Sequence, residues 1–302
     1  MSDDTDDHVY LSLAEGHDDG DSRWAFGTGF EDPLHGVDTS VPDGVDPAEV
    51  AAVCLALGDD ALVSAQRLAQ WCTRAPELEE EVALANIGLD LLGQARLLYA
   101  RCGQVDGSGR GEDAYAYTRD AADFRNVRLA ELPDTDFAFC VVRLLVLSSW
   151  RLALFGRLAL AADPVLAAVA AKGVAELAYH RQYAADWALR LGDGTEESHR
   201  RMRAALAEVA PYLDEVLEAE PPFAVRADQA GPSGDARHTG DADAVRRETL
   251  DVLGQVLSAA GLDLPAVPAL PGSGRRGEHT GHLAPLLAEL QSVARAHPEA
   301  TW

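Results

Sequence analysis

The stretch GVAELAYHRQYAADW, residues 173–187, contains two side chains that can bind a metal ion. Glu176 and His180 are four residues apart, so on a helix the carboxylate and the imidazole lie on one face. In di-iron helix bundles two helices each supply one Glu, and two others each supply Glu-x-x-His, all directed into the core. Here the spacing is one residue longer, because Tyr179 stands where that pattern requires His. The pair indicates either a metal site or a structural polar pair.

The other predicted helices do not complete the metal-binding pattern. Asp90 is followed three residues later by Gly93, where the pattern requires His. The first long helix has Gln66 in place of a carboxylate. The third has no acidic residue between Asp136 and Asp163. Two inward carboxylates and one histidine are too few to compensate the charge of two buried metal ions.

The sequence therefore predicts a vestigial site without metal, marked by Gln66, Asp90, Glu176 and His180. Buried polar groups require partners. We expect a Glu–His or Asp–His hydrogen bond that reaches toward Gln66 and fills the bundle core where metal ions would lie. The alternative is a working metal site built from Asp90, Glu176 and His180.

A second candidate lies near the C-terminus. His279 and His282 are three residues apart at a predicted helix start, where capping or interface contacts are favoured over a metal or phosphate site. Arg275 and Arg276 precede them in the stretch GSGRRGEH, residues 272–279. Backbone N–H groups at a helix N-terminus attract anions, so these arginines are predicted as anion contacts. The stretch matches no complete phosphate-loop pattern, and the alternative is a flexible basic turn.

Helices must position these residues, because Ala and Leu recur at helical intervals and strand-like alternation is scarce. A polar linker is expected at 226–243. The sequence predicts an all-α, ferritin-like four-helix bundle with additional C-terminal helices. The predicted helices cover 46–72, 73–102, 135–161, 164–191, 196–219 (broken near Pro211), 244–260 and 279–296.

The charge distribution limits the classes of molecule that this chain can bind. The net charge is −25, and residues 1–48 hold 13 acidic residues against a single Arg. Such an excess excludes nucleic acid and anionic membrane surfaces, which require clustered Lys and Arg. Residues 1–45 are predicted to be a disordered acidic extension, and 46–302 a single helical domain. The apolar run 137–150 is short and interrupted by Arg143, so it predicts a buried helix and no membrane span.

The four cysteines are widely spaced and favour free thiols in a reducing compartment. The acidic N-terminus resembles neither a secretory signal nor a transit peptide, so a cytoplasmic location is predicted.

Five long stretches carry a family resemblance. They are VALANIGLDLLGQAR (82–96), DFRNVRLAELPDTDFA (123–138), SWRLALFGRL (149–158), the run from Asp163 to Ser198, and GRRGEHTGHLAPLLAELQ (274–291). Over about 50–302 the chain resembles the phenylacetic acid catabolic protein family, and within it the C subunits of bacterial phenylacetyl-CoA 1,2-epoxidase. The acidic extension lies outside this resemblance.

The resemblance implies a ferritin-like subunit of a multicomponent monooxygenase that adds one oxygen atom of O2 to the ring of phenylacetyl-CoA. It implies a catalytic A subunit with a di-iron centre, and a reductase with flavin and iron–sulfur groups that supplies electrons from NADPH. A chain of this type pairs with the A subunit and has no catalytic residue and no cofactor of its own.

Three functions therefore compete. The first is a structural subunit of such a monooxygenase, which exposes apolar helix surface when it is alone. The second is an oxygenase subunit with its own di-metal site. The third is a helical adaptor protein whose acidic arm docks on a partner.

Overall fold

The computed structural model describes residue 34 and residues 36–218 and 235–300. Within these residues all regular structure is helical, which confirms the predicted all-α fold. The α-helices in this part of the chain are α1 (Pro47–Ala69), α2 (Leu78–Val105), α3 (Glu112–Tyr117), α4 (Phe137–Leu158), α5 (Pro164–Gly192), α6 (Glu196–Val209), α7 (Leu213–Glu218), α8 (Asp235–Ala259), α9 (Leu283–Leu290) and α10 (Ser292–Ala296).

Four long helices form the bundle. α1 packs along α2, α4 packs along α5, and α2 contacts α5. α6 and α8 pack against α4. The predicted apolar stripes lie inside, since Leu57, Leu84, Leu98 and Leu177 are all buried. The four-helix bundle with additional C-terminal helices is therefore confirmed.

Aspartates fix the starts of three bundle helices. The side chain of Asp46 accepts a hydrogen bond from Ala48 N at 2.9 Å. Asp163 accepts one from Leu166 N at 2.8 Å. In both cases a proline follows the aspartate, and its missing N–H costs nothing at the first helical position. Asp136 caps α4 by accepting from Phe139 N at 2.9 Å, but no proline follows it.

Two predicted boundaries near the C-terminus are wrong. Residues 235–243 are helical and belong to α8, although their polar composition predicts a linker. The apolar stripe of α8 begins at Ala242 and continues through Val245, and extending a formed helix costs far less than starting one. The helix predicted over 279–296 is two short helices, α9 and α10, and α9 begins at Leu283.

Gly173 on α5 permits close packing against α4. A Cβ atom at this position would lie 2.7 Å from Cδ1 and Cε1 of Phe155, a buried side chain. We expect Gly173→Ala to reduce the free energy of unfolding by roughly 1–3 kcal/mol, since the overpacking outweighs the gain of about 1 kcal/mol in helix propensity.

Denaturant unfolding measures this effect, and Gly156→Ala on α4 is the matched control. No heavy atom lies within 4 Å of a Cβ built at Gly156, so this variant should equal or exceed the stability of the wild type. Equal stability of the two variants would contradict the packing role of Gly173.

Among the described residues, one helix is long and apolar enough to cross a membrane when only its length and composition are considered. It is α4, with a mean hydropathy of 1.8 over its most apolar window, and 83% of that window is buried inside the bundle. Arg143 on this helix is itself buried. As predicted for 137–150, the helix lies in the core.

The predicted acidic extension, residues 1–45, lies largely outside the described residues. Its last part, 36–45, is described and contains turns without a helix. Thr39 O accepts a hydrogen bond from Nη1 of Arg101 at 2.7 Å, and Val45 is buried. All four cysteines are free, as predicted, and three of them are buried.

Candidate functional site

The structure brings Asp90 and His180 together across the seam between α2 and α5. Nε2 of His180 lies 2.9 Å from Oδ2 of Asp90, so the predicted Asp–His hydrogen bond is present. His180 is fully buried, whereas the side chain of Asp90 keeps 38% of its surface exposed. The pair therefore joins the two helices at a place where the core meets the protein surface.

Glu176 takes part in a second contact across the same seam. Its Oε2 accepts a hydrogen bond from Nε2 of Gln94 at 2.9 Å, and its Oε1 pairs with Lys172 one turn earlier on α5. Gln66 is half-buried and takes no part in these contacts. The prediction that the network reaches Gln66 is therefore wrong: the glutamine that meets Glu176 is Gln94, which lies one turn after Asp90 on α2.

Arg151 of α4 occupies the centre of this polar network. Its Nε donates to Oε1 of Gln94 at 3.0 Å, and its Nη1 donates to Leu57 O at 3.1 Å. The guanidinium lies over the Phe155 ring, 4.5 Å from the centroid. Burial lowers the pKa of Arg151 to about 10, because a charged group is disfavoured away from water. The side chain is still a cation at neutral pH.

These residues do not fit a di-metal centre. Glu176 is engaged by Gln94 and Lys172, and His180 by Asp90. The third bundle helix, α4, has no acidic residue and contributes the cation of Arg151 to the network instead, and a guanidinium repels metal ions.

The described residues contain one cluster whose ligand atoms lie close enough for a metal ion. It consists of Glu77, Glu79 and Glu80 at the start of α2, away from the bundle core. The working metal site considered as an alternative, Asp90 with Glu176 and His180, has no converging donors in this part of the chain.

The predicted anion contacts are placed differently by the structure. Nη1 and Nη2 of Arg275 donate to Oδ1 and Oδ2 of Asp60 at 3.0 and 2.7 Å. Asp60 is buried in the middle of α1 and requires a counter-charge, so the role predicted for Arg275 is corrected to an internal ion pair. Arg276 is exposed and pairs with Glu278 at 3.2 Å. For Arg276 an anion contact stays a prediction.

His279 also has a structural role. Its Nδ1 lies 2.6 Å from Oε1 of the buried Glu131, and its Nε2 lies 2.9 Å from Phe124 O. Oε2 of Glu131 accepts from both N and Oγ1 of Thr280, at 2.7 and 2.6 Å. These contacts hold the chain against the 124–131 connection, which is why α9 begins only after them. His282 stands at the N-cap position of α9 and makes no side-chain capping bond.

Sequence reasoning missed Arg151 and Gln94. Both had a signal. Arg151 is a charged residue within one of the most apolar helices of the chain, and a buried cation implies a partner. Gln94 lies one turn beyond Asp90 on the same helix face.

His180 makes the stability of the fold sensitive to acid. Burial lowers its pKa below the value in the unfolded chain, and this effect outweighs the opposing influence of Asp90 and Glu176. Below about pH 6.5 the unfolded chain binds a proton that the folded protein rejects, so stability falls as pH falls. Between pH 7.5 and 5.5 we expect the free energy of unfolding of the wild type to fall more than that of His180→Gln.

Urea unfolding at the two pH values measures this difference. His297→Gln is the control, because His297 is exposed near the end of the described chain. Identical pH slopes for the wild type and His180→Gln would contradict the assignment.

The fold and the site together define a helical bundle of the ferritin-like class whose core holds the buried guanidinium of Arg151. The chain belongs to the phenylacetic acid catabolic protein family, which matches residues 38–302. It is similar to the C subunit of the 1,2-phenylacetyl-CoA epoxidase of Escherichia coli (strain K12). The two are 38% identical over 254 residues, which cover 84% of this chain and 99% of that protein.

Proposed function

We propose that this chain is a structural, metal-free subunit of a phenylacetyl-CoA epoxidase in aerobic phenylacetate breakdown. The complex uses O2 and NADPH to place one oxygen atom on the aromatic ring of the acyl-CoA, and the other oxygen atom leaves as water. The observation that carries the proposal is Arg151, a buried cation at the centre of a core that would otherwise hold metal ligands. Membership of the family and the similarity to an epoxidase subunit supply the reaction.

An exposed apolar face gives this subunit a means of assembly. Leu78, Val82 and Leu89 are 69%, 53% and 64% exposed on α2. At 3.6 residues per turn they lie within about 40° of one another around the helix. Tyr179 of α5 is 51% exposed. Tyr179 directly precedes His180, and Leu89 directly precedes Asp90. Since His180 and Asp90 meet across the seam between α2 and α5, both exposed side chains flank that seam. Surfaces of this kind mark protein–protein contacts.

The occupant we propose for this face is the catalytic A subunit, which carries the di-iron centre. Other epoxidase subunits and a reductase with flavin and iron–sulfur groups complete the assembly, in the cytoplasm. If the catalytic subunit covers α2 and α5 of this chain, its own helices are held in fixed positions. This matters because small displacements of reacting groups reduce the reaction rate strongly. The chain itself supplies no cofactor and no catalytic residue.

Co-expression tests this function. The catalytic subunit and reductase, purified with and without this chain, are assayed for conversion of phenylacetyl-CoA to its ring epoxide. We expect the three-component system to be active and omission of this chain to abolish assembly and turnover. Full activity without it would refute the proposal.

A further inference from the structure

A small cavity lies at the centre of the bundle. Its volume is about 30 Å³, and most of its lining is apolar, with side chains from all four bundle helices. The polar lining includes Asp60, Ser64, Ser148, Arg151 and His180. The cavity therefore adjoins the polar network described above, because Arg151 and His180 belong to both.

Two buried polar atoms on residues of this lining have no hydrogen-bond partner among the described residues. They are Nη2 of Arg151 and Nδ1 of His180. The other nitrogens of both side chains are engaged: Arg151 by Gln94 and Leu57 O, and His180 by Asp90. Buried polar atoms in folded proteins are nearly always hydrogen-bonded, to water where no protein group is in reach.

The two atoms require partners of opposite kind. Nη2 of Arg151 is a donor. Nε2 of His180 faces a carboxylate acceptor, so the proton of the neutral ring lies on Nε2 and Nδ1 presents a lone pair. A single molecule that bridges them must accept one hydrogen bond and donate another. A halide ion or a metal cation meets only one of these requirements.

We propose that the cavity is a water-binding site in which a water molecule accepts from Nη2 of Arg151 and donates to Nδ1 of His180. A volume of about 30 Å³ holds roughly one or two waters, each needing about 10–15 Å³. The guanidinium and this water together satisfy the buried polar groups of the bundle core, and the charge of the guanidinium disfavours a divalent cation there.

A crystal structure of the full chain, alone or in its complex, tests the site directly. We expect a density peak within about 3 Å of both nitrogens, without anomalous signal after a bromide soak. Xenon under pressure enters dry apolar cavities, so it should not enter this one. An empty cavity, a bromide peak or bound xenon in the wild type would overturn the proposal.

The variant Arg151→Met is the second test, because it removes the hydrogen-bond donor Nη2 and leaves an apolar side chain at the cavity wall. We expect the water to be lost and xenon to enter. Arg157→Met on the same helix is the control, since Arg157 pairs with Glu248 at 2.9 Å and does not line the cavity. The control should keep the water and exclude xenon. If Arg151→Met does not fold, the wild-type crystal decides the question alone.

Discussion

Replacing Leu89 with Asp is expected to weaken the proposed complex with the catalytic subunit by roughly 100-fold or more. Leu89 is exposed within the apolar face of α2, so the free chain should fold normally. Burying a leucine side chain stabilises a contact by about 1.5–3 kcal/mol. An unpaired carboxylate in its place adds a desolvation cost of several kcal/mol. Titration of the labelled catalytic subunit measures the Kd.

Two further variants make this result specific. Leu160→Asp changes an equally exposed leucine outside α2 and α5, and it should leave the Kd within about twofold of the wild type. Deletion of the acidic extension, residues 1–45, tests the acidic adaptor alternative, and a shorter deletion of 1–37 keeps the contact of Thr39 O with Arg101. Retained binding assigns the interface to the bundle. Wild-type affinity of Leu89→Asp would contradict the proposed face.

Replacing Asp59 with Ala is expected to reduce the free energy of unfolding by about 3–5 kcal/mol. Asp59 is fully buried and accepts from Tyr99 Oη at 2.6 Å, from Arg119 Nη1 at 3.1 Å and from Arg125 N at 2.7 Å. Its loss leaves the buried guanidinium of Arg119 without its counter-charge. Since small proteins are stable by about 5–15 kcal/mol, the transition midpoint should shift markedly.

Asp251→Ala is the matched control, an exposed aspartate of α8 whose loss should change stability by no more than about 0.5 kcal/mol. A double-mutant cycle isolates the ion pair. We expect Asp59→Ala together with Arg119→Ala to cost less than the sum of the single variants, because the second change removes the stranded charge. Additive losses would show that the two side chains act independently.

Much of the architecture was predictable because it depends on local signals. The Asp-Pro pairs at 46–47 and 163–164 combine a capping carboxylate with a proline, and both helices begin there. The missing carboxylate on the third helix was visible in the sequence as well, and it led to the prediction of a different polar filling of the core.

The particular side chains that form the polar network in the core were not predictable from the sequence. That Gln94, and not Gln66, meets Glu176 depends on how α2 and α5 are rotated against each other, which composition does not encode. Arg275 was expected to contact an anion, but it pairs with Asp60, which lies more than 200 residues earlier in the sequence. Such contacts between distant segments follow from tertiary packing alone.

Iron analysis tests the central claim, that this subunit acts by assembly and holds no metal. The chain is expressed with iron supplied, alone and together with the catalytic subunit, and iron is counted per polypeptide after gel filtration. We expect no iron on the isolated chain and about two iron atoms per pair, as a di-iron partner requires. One or two iron atoms bound to the isolated chain would contradict it and make Asp90, Glu176 and His180 a working site.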